Sequence, residues 1–278
     1  MTDCIFRCPI CKLPLKDTGL ALKCDGGHNF DRAAQGYVHL LPPNKMHAKL
    51  PGDSREMVAA RHRFLEAGFY QLFRDRICSM ISDELGGSIS PLLIDAGCGE
   101  GYYTDAVRLA LETVCPSPIV CGFDISKLAV KTAAVRSRKL HLAVASCFEI
   151  PIQDACADAL LSVFSPIVPT EFARVLKPGG IMILAVAGER HLLGLKQLLY
   201  ETPYLNTYQE TSYSGFTFEN RLPVRTHAVL ADNGLITDLF AMTPYYWKTP
   251  VEGSRRLQQA TQLETELGFD LLIYRRQE

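Results

Sequence analysis

The alternation of apolar and polar residues predicts an α/β core that begins near residue 91. Short apolar runs, typical of buried strands, alternate with segments of helical periodicity. The predicted strands cover residues 92–96, 119–124, 141–146, 159–164 and 181–187. The predicted helices between them cover 102–112, 126–138 and 170–176, and a KPGG turn precedes the last strand. This alternation favours βαβ units and a doubly wound parallel sheet.

The segments on either side of this core show a weaker pattern. Toward the C-terminus we expect a helix over 191–200, a strand over 216–222, helices near 226–233 and 251–266, and a last strand over 269–275. On the N-terminal side, Ser54 is a suitable cap for a helix that runs to about Phe64. A second helix is expected from about Tyr70 to Glu84.

The first part of the chain differs from the rest. Residues 1–36 are polar and rich in turn-forming residues, and they hold too little apolar material for a core of their own. Residues 37–54 contain a Pro-Pro pair and a PGDS turn, which indicates a linker. We therefore expect a small domain at 1–36, a linker and helices at 37–90, and a main domain at 91–278.

Composition allows a large folded core and excludes some classes of protein. Of the 278 residues, 47% are hydrophobic and 21% are charged, which excludes a disordered chain. No run of 18 apolar residues and no apolar signal core occurs, so we expect no membrane association and a cytoplasmic location. The net charge is −1, but the part through Arg76 carries 12 Lys and Arg against 8 Asp and Glu. An ordinary solvated surface also explains that mild bias.

Four potential metal ligands cluster near the N-terminus. Cys8 and Cys11 form a C-x-x-C pair, and after twelve intervening residues Cys24 is followed by His28 in the spacing C-x-x-x-H. Two such knuckles bring three thiolates and one imidazole to a tetrahedral Zn²⁺, with no position left open for catalysis. The spacing therefore predicts structural zinc, which would supply folding free energy to a domain this small.

Alternatives to this ligand set stay open. A C-x-x-C pair also occurs in redox-active thiols, although those usually begin a helix after a strand. Cys4 is spaced so that it could replace one thiolate, and His28 could be an ordinary surface histidine. The remaining cysteines are expected to be small apolar side chains in a reducing compartment. They are Cys78, Cys98, Cys115, Cys121, Cys147 and Cys156.

The segment LLIDAGCGEGYYT, residues 92–104, carries the clearest chemical signal. An apolar strand ends in Asp95, and Gly97, Gly99 and Gly101 alternate before a helix begins. Glycines let the backbone pass close to a ligand at a helix N-terminus. The spacing is G-x-G-x-G, whereas dinucleotide sites typically have G-x-G-x-x-G.

An acidic residue follows this loop at the end of the next predicted strand. Asp124 lies 23 residues past Gly101, where a carboxylate can accept both hydroxyls of a ribose. The segment RVLKPGG follows at 174–180. Together these features resemble the S-adenosylmethionine (SAM) site of Rossmann-like class I methyltransferases.

Longer sequence blocks resemble one family, the zinc-containing bacterial 23S rRNA (guanine-N1)-methyltransferases. The blocks are CPICKLPL, CDGGHNFDRAAQGYVHLLP, PGDSREMVAARHRFLEAGFY, IDAGCGEGYYT, AGERHL and MTPYYWK. The PGDS block is the most specific of them, because generic fold requirements do not explain it. The resemblance covers nearly the whole chain. It implies a zinc-binding, RNA-recognition domain at 1–36 and a SAM-dependent methyltransferase domain at 91–278.

The resemblance also implies roles for particular residues. It places zinc on Cys8, Cys11, Cys24 and His28. It places SAM on Tyr70, Gly99, Glu100 and His191, and Asp124 fits the general ribose-binding role. Asp95, Gly97 and Gly101 complete the expected cofactor-binding set. Ala187 stands where a proline is expected before Gly188, which bears on the shape of the loop that carries His191.

A reaction and its partners follow from the same resemblance. A homodimer would grip a 23S rRNA hairpin of domain II with its zinc domains and methylate N1 of one guanine. Two subgroups modify different guanines there, and the GCGEGYYT and ERHL sequences favour position 745 over position 748. The main alternative is a small-molecule SAM-dependent methyltransferase with a dispensable zinc ribbon. The other alternative is a non-catalytic binding module.

No residue in the sequence is an unambiguous catalytic base for guanine N1, so the catalytic residue stays unknown. We expect His191 to position cofactor or substrate and Glu100 to meet the methionine end of SAM. The strip at 162–169, SVFSPIVP, would present the substrate base or simply form a turn. Aromatic candidates for base stacking are Phe164, Tyr245, Tyr246 and Trp247. Candidates for phosphate contacts are Arg55, Arg61, Arg63, Arg74 and Arg76, with Lys45 and Lys49.

Overall fold

The computed structural model describes residues 2–43 and 52–278, and within them the strands form two sheets. The N-terminal sheet is antiparallel and has the order β1-β2-β3-β4. Its strands are β1 (Thr2–Arg7), β2 (Pro14–Asp17), β3 (Ala21–Lys23) and β4 (Asn29–Asp31). Lys45 and Lys49 of the predicted linker lie outside the described residues.

The central sheet, within the same described ranges, has eight strands in the order β11-β12-β10-β9-β6-β7-β8-β5. They are β5 (Val38–His39), β6 (Leu92–Ala96), β7 (Ile119–Asp124), β8 (His141–Val144), β9 (Ala157–Val163), β10 (Leu176–Ala187), β11 (Phe216–Leu230) and β12 (Leu263–Arg276). Neighbouring strands are parallel except at β12, which is antiparallel to both β10 and β11. The predicted α/β architecture with a largely parallel sheet is confirmed.

The described helices pack mainly on one face of this sheet, whereas one short helix and the N-terminal sheet contribute to the buried cluster on the other face. The helices are α1 (Arg55–Glu66), α2 (Gln71–Leu85), α3 (Tyr102–Val114), α4 (Lys127–Arg136), α5 (Pro169–Val175), α6 (Leu193–Leu199), α7 (Asn233–Ala241) and α8 (Val251–Gln259). Along β6, Leu93 faces one buried cluster while Leu92 and Ile94 face the other. Both faces of the strand are therefore apolar, as a central parallel strand requires. Among the described residues, no helix combines the length and the apolarity that crossing a membrane requires.

Most predicted elements agree with the structure to within a few residues. The Ser54 hydroxyl accepts a hydrogen bond from the backbone N–H of Met57 at 3.2 Å, so the predicted cap of α1 is confirmed. The strand at Val38–His39 falls inside the segment expected to be a linker and forms the edge of the central sheet. The predicted KPGG turn at 177–180 is part of β10, where the register with β9 shifts between Leu176 and Ile181.

One predicted C-terminal helix is wrong, and another is present but shorter than predicted. The helix expected near 226–233 is the second half of β11, in which Val224, Ala228 and Leu230 are buried and the intervening odd-numbered residues are exposed. The helix expected over 251–266 ends at Gln259, because β12 begins at Leu263. Both segments alternate with period two, the period of a half-buried strand, and each strand supplies the other's hydrogen-bonding partner.

The N-terminal sheet packs directly against the central sheet. Phe6, Leu15 and Leu22 share one buried cluster with Ile94 and Leu160 of the central strands. The backbone reinforces this contact, because the N–H of Arg7 donates to the carbonyl of Pro151 at 3.0 Å. The small domain therefore does not fold around its own core alone but shares one with the main domain.

Candidate active site and zinc centre

The four predicted zinc ligands converge in the N-terminal sheet. Their ligand atoms all lie within 4.8 Å of one another. The Cys8 and Cys24 Sγ atoms lie 3.6 and 3.4 Å from His28 Nδ1, and Cys11 Sγ lies 3.5 Å from Cys24 Sγ. Zinc bonds of about 2.0–2.3 Å give a tetrahedron with edges of roughly 3.3–3.8 Å, which matches these separations. The donor set therefore fits a structural Zn²⁺ held through His28 Nδ1.

Cys4 does not belong to this cluster, although its spacing allowed it. Within the described residues the group of potential ligands comprises the four side chains above. Cys4 lies on β1, and its carbonyl accepts a hydrogen bond from the Gln153 side chain at 3.2 Å. We therefore favour the set with Cys8 over one in which Cys4 replaces a thiolate.

A cavity of about 680 Å³ opens at the carboxyl ends of the parallel strands. In open α/β sheets this edge is where ligands bind. One wall consists of residues that follow β6, β7, β8, β9 and β10, and the facing wall comes from α1, the start of α2 and the turn after α7. Of the predicted cofactor-binding residues, those that line the cavity are Tyr70, Asp95, Gly97, Gly99, Glu100, Asp124 and His191.

The glycine loop is folded back over the end of β7. The N–H groups of Gly97 and Cys98 both donate to the carbonyl of Phe123, at 2.9 and 3.0 Å. Gly97 has a φ of +85°, and a Cβ there would lie 2.4 Å from the Ser165 Cβ. Gly101 faces away from the cavity, since a Cβ on it would lie 2.9 Å from the Ala133 Cβ of α4. The first glycine thus shapes the cavity, and the third allows α4 to approach the start of α3.

Two aspartates at the ends of neighbouring strands lie beside this loop and line the cavity. Asp124 Oδ2 accepts from the N–H of Gly99 at 3.0 Å, and Oδ1 accepts from the N–H of Ser126 at 2.7 Å. Burial raises the pKa of Asp124 above its ordinary value, while these two backbone donors oppose the rise. Each carboxylate oxygen can accept further hydrogen bonds. Asp124 therefore holds the glycine loop through these two hydrogen bonds, and its carboxylate oxygens can still accept hydrogen bonds from a ligand.

Asp95 is fully buried and incompletely paired. Its Oδ2 accepts from the Thr104 hydroxyl at 2.6 Å, whereas Oδ1 is buried without a hydrogen-bond partner among the described residues. Burial raises the pKa of Asp95 to about 7. A buried oxygen that lines a cavity and lacks a donor fits a ligand that brings its own donor or positive charge.

Glu100 also lines the cavity, but both of its carboxylate oxygens have protein partners. Oε2 lies 2.8 Å from His62 Nδ1 of α1, and Oε1 accepts from the Arg136 guanidinium of α4 at 2.9 Å. Arg136 also donates to Glu66 at 2.7 Å. Burial raises the pKa of Glu100, and the nearby His62 and Arg136 oppose the rise. This cluster therefore holds the glycine loop between two helices.

Removing Arg136 is expected to destabilise the protein. The Arg136→Met variant leaves the buried Glu100 carboxylate with His62 as its main partner, and we expect a loss of about 2 kcal/mol in the free energy of unfolding, given the partial exposure of Arg136. Urea denaturation measures the change. Arg138→Met is the control for loss of an exposed arginine without a carboxylate partner, since the Arg138 guanidinium donates to the carbonyl of Ala34 at 2.9 Å and forms no ion pair among the described residues. If the double variant Arg136→Met/Glu100→Gln is no more stable than Arg136→Met alone, the loss of stability does not come from the Glu100 carboxylate that lost its partner.

His191 belongs to an aromatic cluster at the back of the cavity. Its ring lies 4.8 Å from Phe269 and 6.1 Å from Phe164, and it is nearly parallel to the Phe164 ring at 23°. Tyr70, buried at the start of α2, packs edge-on against Phe269 at 4.9 Å. His191 Nδ1 is buried without a hydrogen-bond partner among the described residues. Burial lowers the pKa of His191 to about 3, so the imidazole is neutral.

Backbone strain is concentrated beside this cluster. Phe164 and Leu192 have φ values of +54° and +57°, which bulky residues rarely adopt. Both line the cavity, and Leu192 directly follows His191. The Ser165 hydroxyl donates to the carbonyl of Ala96 at the end of β6 and so holds the Phe164 turn in place. Strained residues that are held in this way are typical of functional sites.

The structure separates the basic and aromatic candidates by their surroundings. Arg61, Arg63 and Arg74 form ion pairs with Asp53, Asp238 and Asp75, respectively. Arg55 and Arg76 are exposed and have no ion pair in the part of the chain that the structure describes. Of the aromatic candidates, those that line the cavity are Phe164, Tyr245 and Trp247, whereas Tyr246 does not.

Some site residues were not predicted from the sequence. His62 and Arg136 bind Glu100, and Asp53 lines the cavity in an ion pair with Arg61, which was predicted only for phosphate contacts. Asp53, Arg61 and His62 all belong to the PGDS block. Generic fold requirements do not explain that block, and this was the signal in the sequence that could have pointed to these residues. For Arg136, at the C-terminal end of α4, the sequence offered none.

Comparisons with known proteins point to the same two domains. The family model described as RlmA, N-terminal, a zinc ribbon, matches residues 6–49, and a methyltransferase domain model matches residues 94–184. YxjB of Bacillus subtilis (strain 168), provisionally named a 23S rRNA (guanine-N1)-methyltransferase, is 32% identical over 97% of this chain and 96% of its own length. The 23S rRNA (guanine(748)-N1)-methyltransferase of Streptomyces fradiae is 34% identical over 70% of this chain and 67% of its own length.

Proposed function

This chain belongs to the 23S rRNA (guanine-N1)-methyltransferase family, and on that premise we propose that it methylates N1 of one guanine in a domain II hairpin of 23S rRNA. Its methyltransferase domain implies SAM as the methyl donor, and its zinc ribbon implies a structural Zn²⁺. The observation that carries the proposal is the combination, in one chain, of a zinc-ligand cluster and a cavity built on a SAM-type glycine loop.

The residues around the cavity would act mainly by binding and orientation. SAM supplies an electrophilic methyl group on a sulfonium centre, and the transfer needs the nucleophile in line with it at near-attack distance. We assign Asp124 to hydrogen bonds with the ribose hydroxyls of SAM. We assign the glycine loop to the place where the protein backbone passes close to the cofactor. The strained Phe164 turn, at the end of the neighbouring parallel strand β9, would present the guanine. Glu100 would act indirectly, by holding the loop between α1 and α4.

The proton on guanine N1 must leave before or during methyl transfer. His191 lies in the cavity wall as a neutral imidazole. A group with a pKa near 3 is too weak a base to hold that proton at neutral pH. We therefore propose that His191 positions the cofactor or the base by stacking and hydrogen bonding and is not the proton acceptor.

Asp95 should make SAM binding depend on pH. Its unpartnered Oδ1 would receive the α-ammonium group of SAM, and only the ionised carboxylate forms that ion pair. With a pKa of about 7, Asp95 is mostly protonated at pH 6 and about half-ionised at pH 7, where an α-ammonium group is still mostly charged, so the Kd for SAM should fall about fivefold between these two pH values. Equilibrium dialysis at both pH values tests this. Asp95→Asn removes the contribution of Asp95 and isolates any titration of SAM itself; an unchanged pH dependence in that variant would refute the assignment.

The RNA partner, the assembly and the location are part of the same proposal. Exposed Arg55 and Arg76, which have no ion pair in the described ranges, would contact phosphates of the hairpin. We propose a cytoplasmic homodimer whose zinc domains contribute to RNA recognition. We also propose a position-745 specificity, based on the GCGEGYYT and ERHL sequences. The Streptomyces fradiae relative is named for position 748, so mapping must decide between the two.

The decisive experiment uses purified protein, radiolabelled SAM and 23S rRNA from a strain that lacks this gene. Primer extension should then stop at one guanine of the domain II hairpin, and the position of the stop identifies the subgroup. If label stays on SAM despite measurable SAM binding, the rRNA assignment is wrong. Activity on a metabolite without RNA would instead support a small-molecule methyltransferase.

A further inference from the structure

The turn that follows α7 exposes an unusual amount of aromatic surface. Residues Pro244–Trp247 form one 3-10 turn, and none of its four residues is buried. Trp247 is 70% exposed and lines the cavity. It is also the only tryptophan in the chain. Tryptophan usually buries most of its large apolar surface, so an exposed one beside a cavity indicates a binding role.

The turn holds this side chain in place. The buried Thr243 hydroxyl donates to the carbonyl of Phe240 at 2.8 Å, and the Thr249 hydroxyl donates to the carbonyl of Tyr245 at 2.8 Å. The Tyr246 ring meets the Trp247 indole edge-on at 4.9 Å. The indole is thus supported from one side by the turn, while most of its surface faces solvent.

A positive charge without an ion pair accompanies the indole. Lys248 is exposed, and within the described residues it has no carboxylate partner. Phe148 and Phe164 also line the cavity and are 70% and 49% exposed, whereas Tyr245 is half-buried against Tyr200. An accessible aromatic face next to a free ammonium group suits a nucleotide, in which a flat base adjoins a phosphate.

We infer that Trp247 stacks on an unpaired base of the RNA at the mouth of the active-site cavity and that Lys248 contacts the adjoining phosphate. The inference rests on the proposed function, because it takes the RNA hairpin as the substrate. In this way the turn would hold the unpaired RNA nucleotides beside the methylation site. Sequence-specific enzymes that act on RNA bases commonly stabilise unstacked nucleotides by aromatic stacking.

Intrinsic fluorescence tests the contact directly, since Trp247 is the only tryptophan. A synthetic RNA with the sequence of the domain II hairpin should quench the emission in a saturable way, and SAM alone should leave it unchanged. Quenching by SAM alone would place the indole on the cofactor and overturn the inference. If the emission changes with protein concentration and sedimentation shows a dimer, Trp247 lies at a subunit interface. That result would also overturn the inference.

Four variants separate a stacking role of Trp247 from an effect on the fold. Trp247→Ala should raise the KM for the hairpin about tenfold with little change in kcat, and Trp247→Phe should recover most of the loss. Val251→Ala is the matched control, because Val251 is also 70% exposed and lies four residues away. Lys248→Gln should make hairpin binding less dependent on salt. If wild-type protein methylates the hairpin and Trp247→Ala has an unchanged KM, the inference is wrong; if wild-type protein does not methylate it, the proposed function has failed.

Discussion

The Cys8→Ser variant is expected to lose its zinc and its methylation of rRNA but to keep its affinity for SAM. Cys8 contributes one of four ligands, and zinc sites of this kind supply about 10 kcal/mol or more of folding free energy to small domains. The N-terminal sheet shares a core with the central sheet, so the melting temperature of the whole protein should also fall. SAM binding should persist, because every residue that lines the cavity lies at or after Gly52.

Three measurements check this result. Zinc content per chain should fall from one to near zero, methyl transfer to 23S rRNA should be lost, and the Kd for SAM should stay within about threefold of the wild-type value. Cys4→Ser is the matched control, since Cys4 lies on β1 close to the cluster but outside it. A Cys8→Ser protein that retains one zinc per chain would contradict this ligand set and indicate that Cys4 can replace Cys8 as a zinc ligand.

The Asp124→Ala variant is expected to lose SAM binding by about 100-fold or more. The carboxylate accepts the N–H groups of Gly99 and Ser126, so its removal leaves both donors without a partner and frees the glycine loop. It would also remove the proposed acceptors for the ribose hydroxyls. Hydrogen bonds to charged groups contribute about 1.5–3 kcal/mol each, and two of them account for an effect of this size.

Calorimetric titration with SAM measures this loss. Asp158→Asn is the matched control, because Asp158 also accepts a backbone N–H, that of Leu92, but does not line the cavity. The fold should survive in both variants, as judged by circular dichroism. A Kd for SAM within threefold of wild type in Asp124→Ala would mean that the ribose is bound elsewhere.

The regular part of the fold could be predicted because its signals are local. Strands β6 to β9 and helices α3 to α5 follow from apolar runs, glycine turns and helical periodicity, and each agrees with the structure to within a few residues. The errors fall at β11 and β12, two long strands in which part of the pattern also fits a helix. Each is stabilised by pairing with the other along 14 register positions, which sequence periodicity alone does not reveal.

The candidate site divides in the same way. The zinc ligands and the glycine loop lie close together in sequence, so their spacing predicted their chemistry, and the structure brings the four zinc ligands together. The support of the loop could not be predicted, because Glu100 meets His62 and Arg136 from residues 38 and 36 positions away. Contacts at that separation depend on how α1 and α4 pack on the sheet.

The sequence by itself therefore determined the class of fold and the family, and it predicted the zinc ligands with Cys4 as an open alternative, because each of these rests on short-range patterns or on blocks of similar sequence. Only the tertiary structure decided which of the predicted residues face one cavity, that Gly101 packs against α4, and that Trp247 and Phe164 remain accessible while Tyr245 is half-buried. The physical reason is that exposure and contact between distant residues depend on strand register and helix packing, which are properties of the assembled chain.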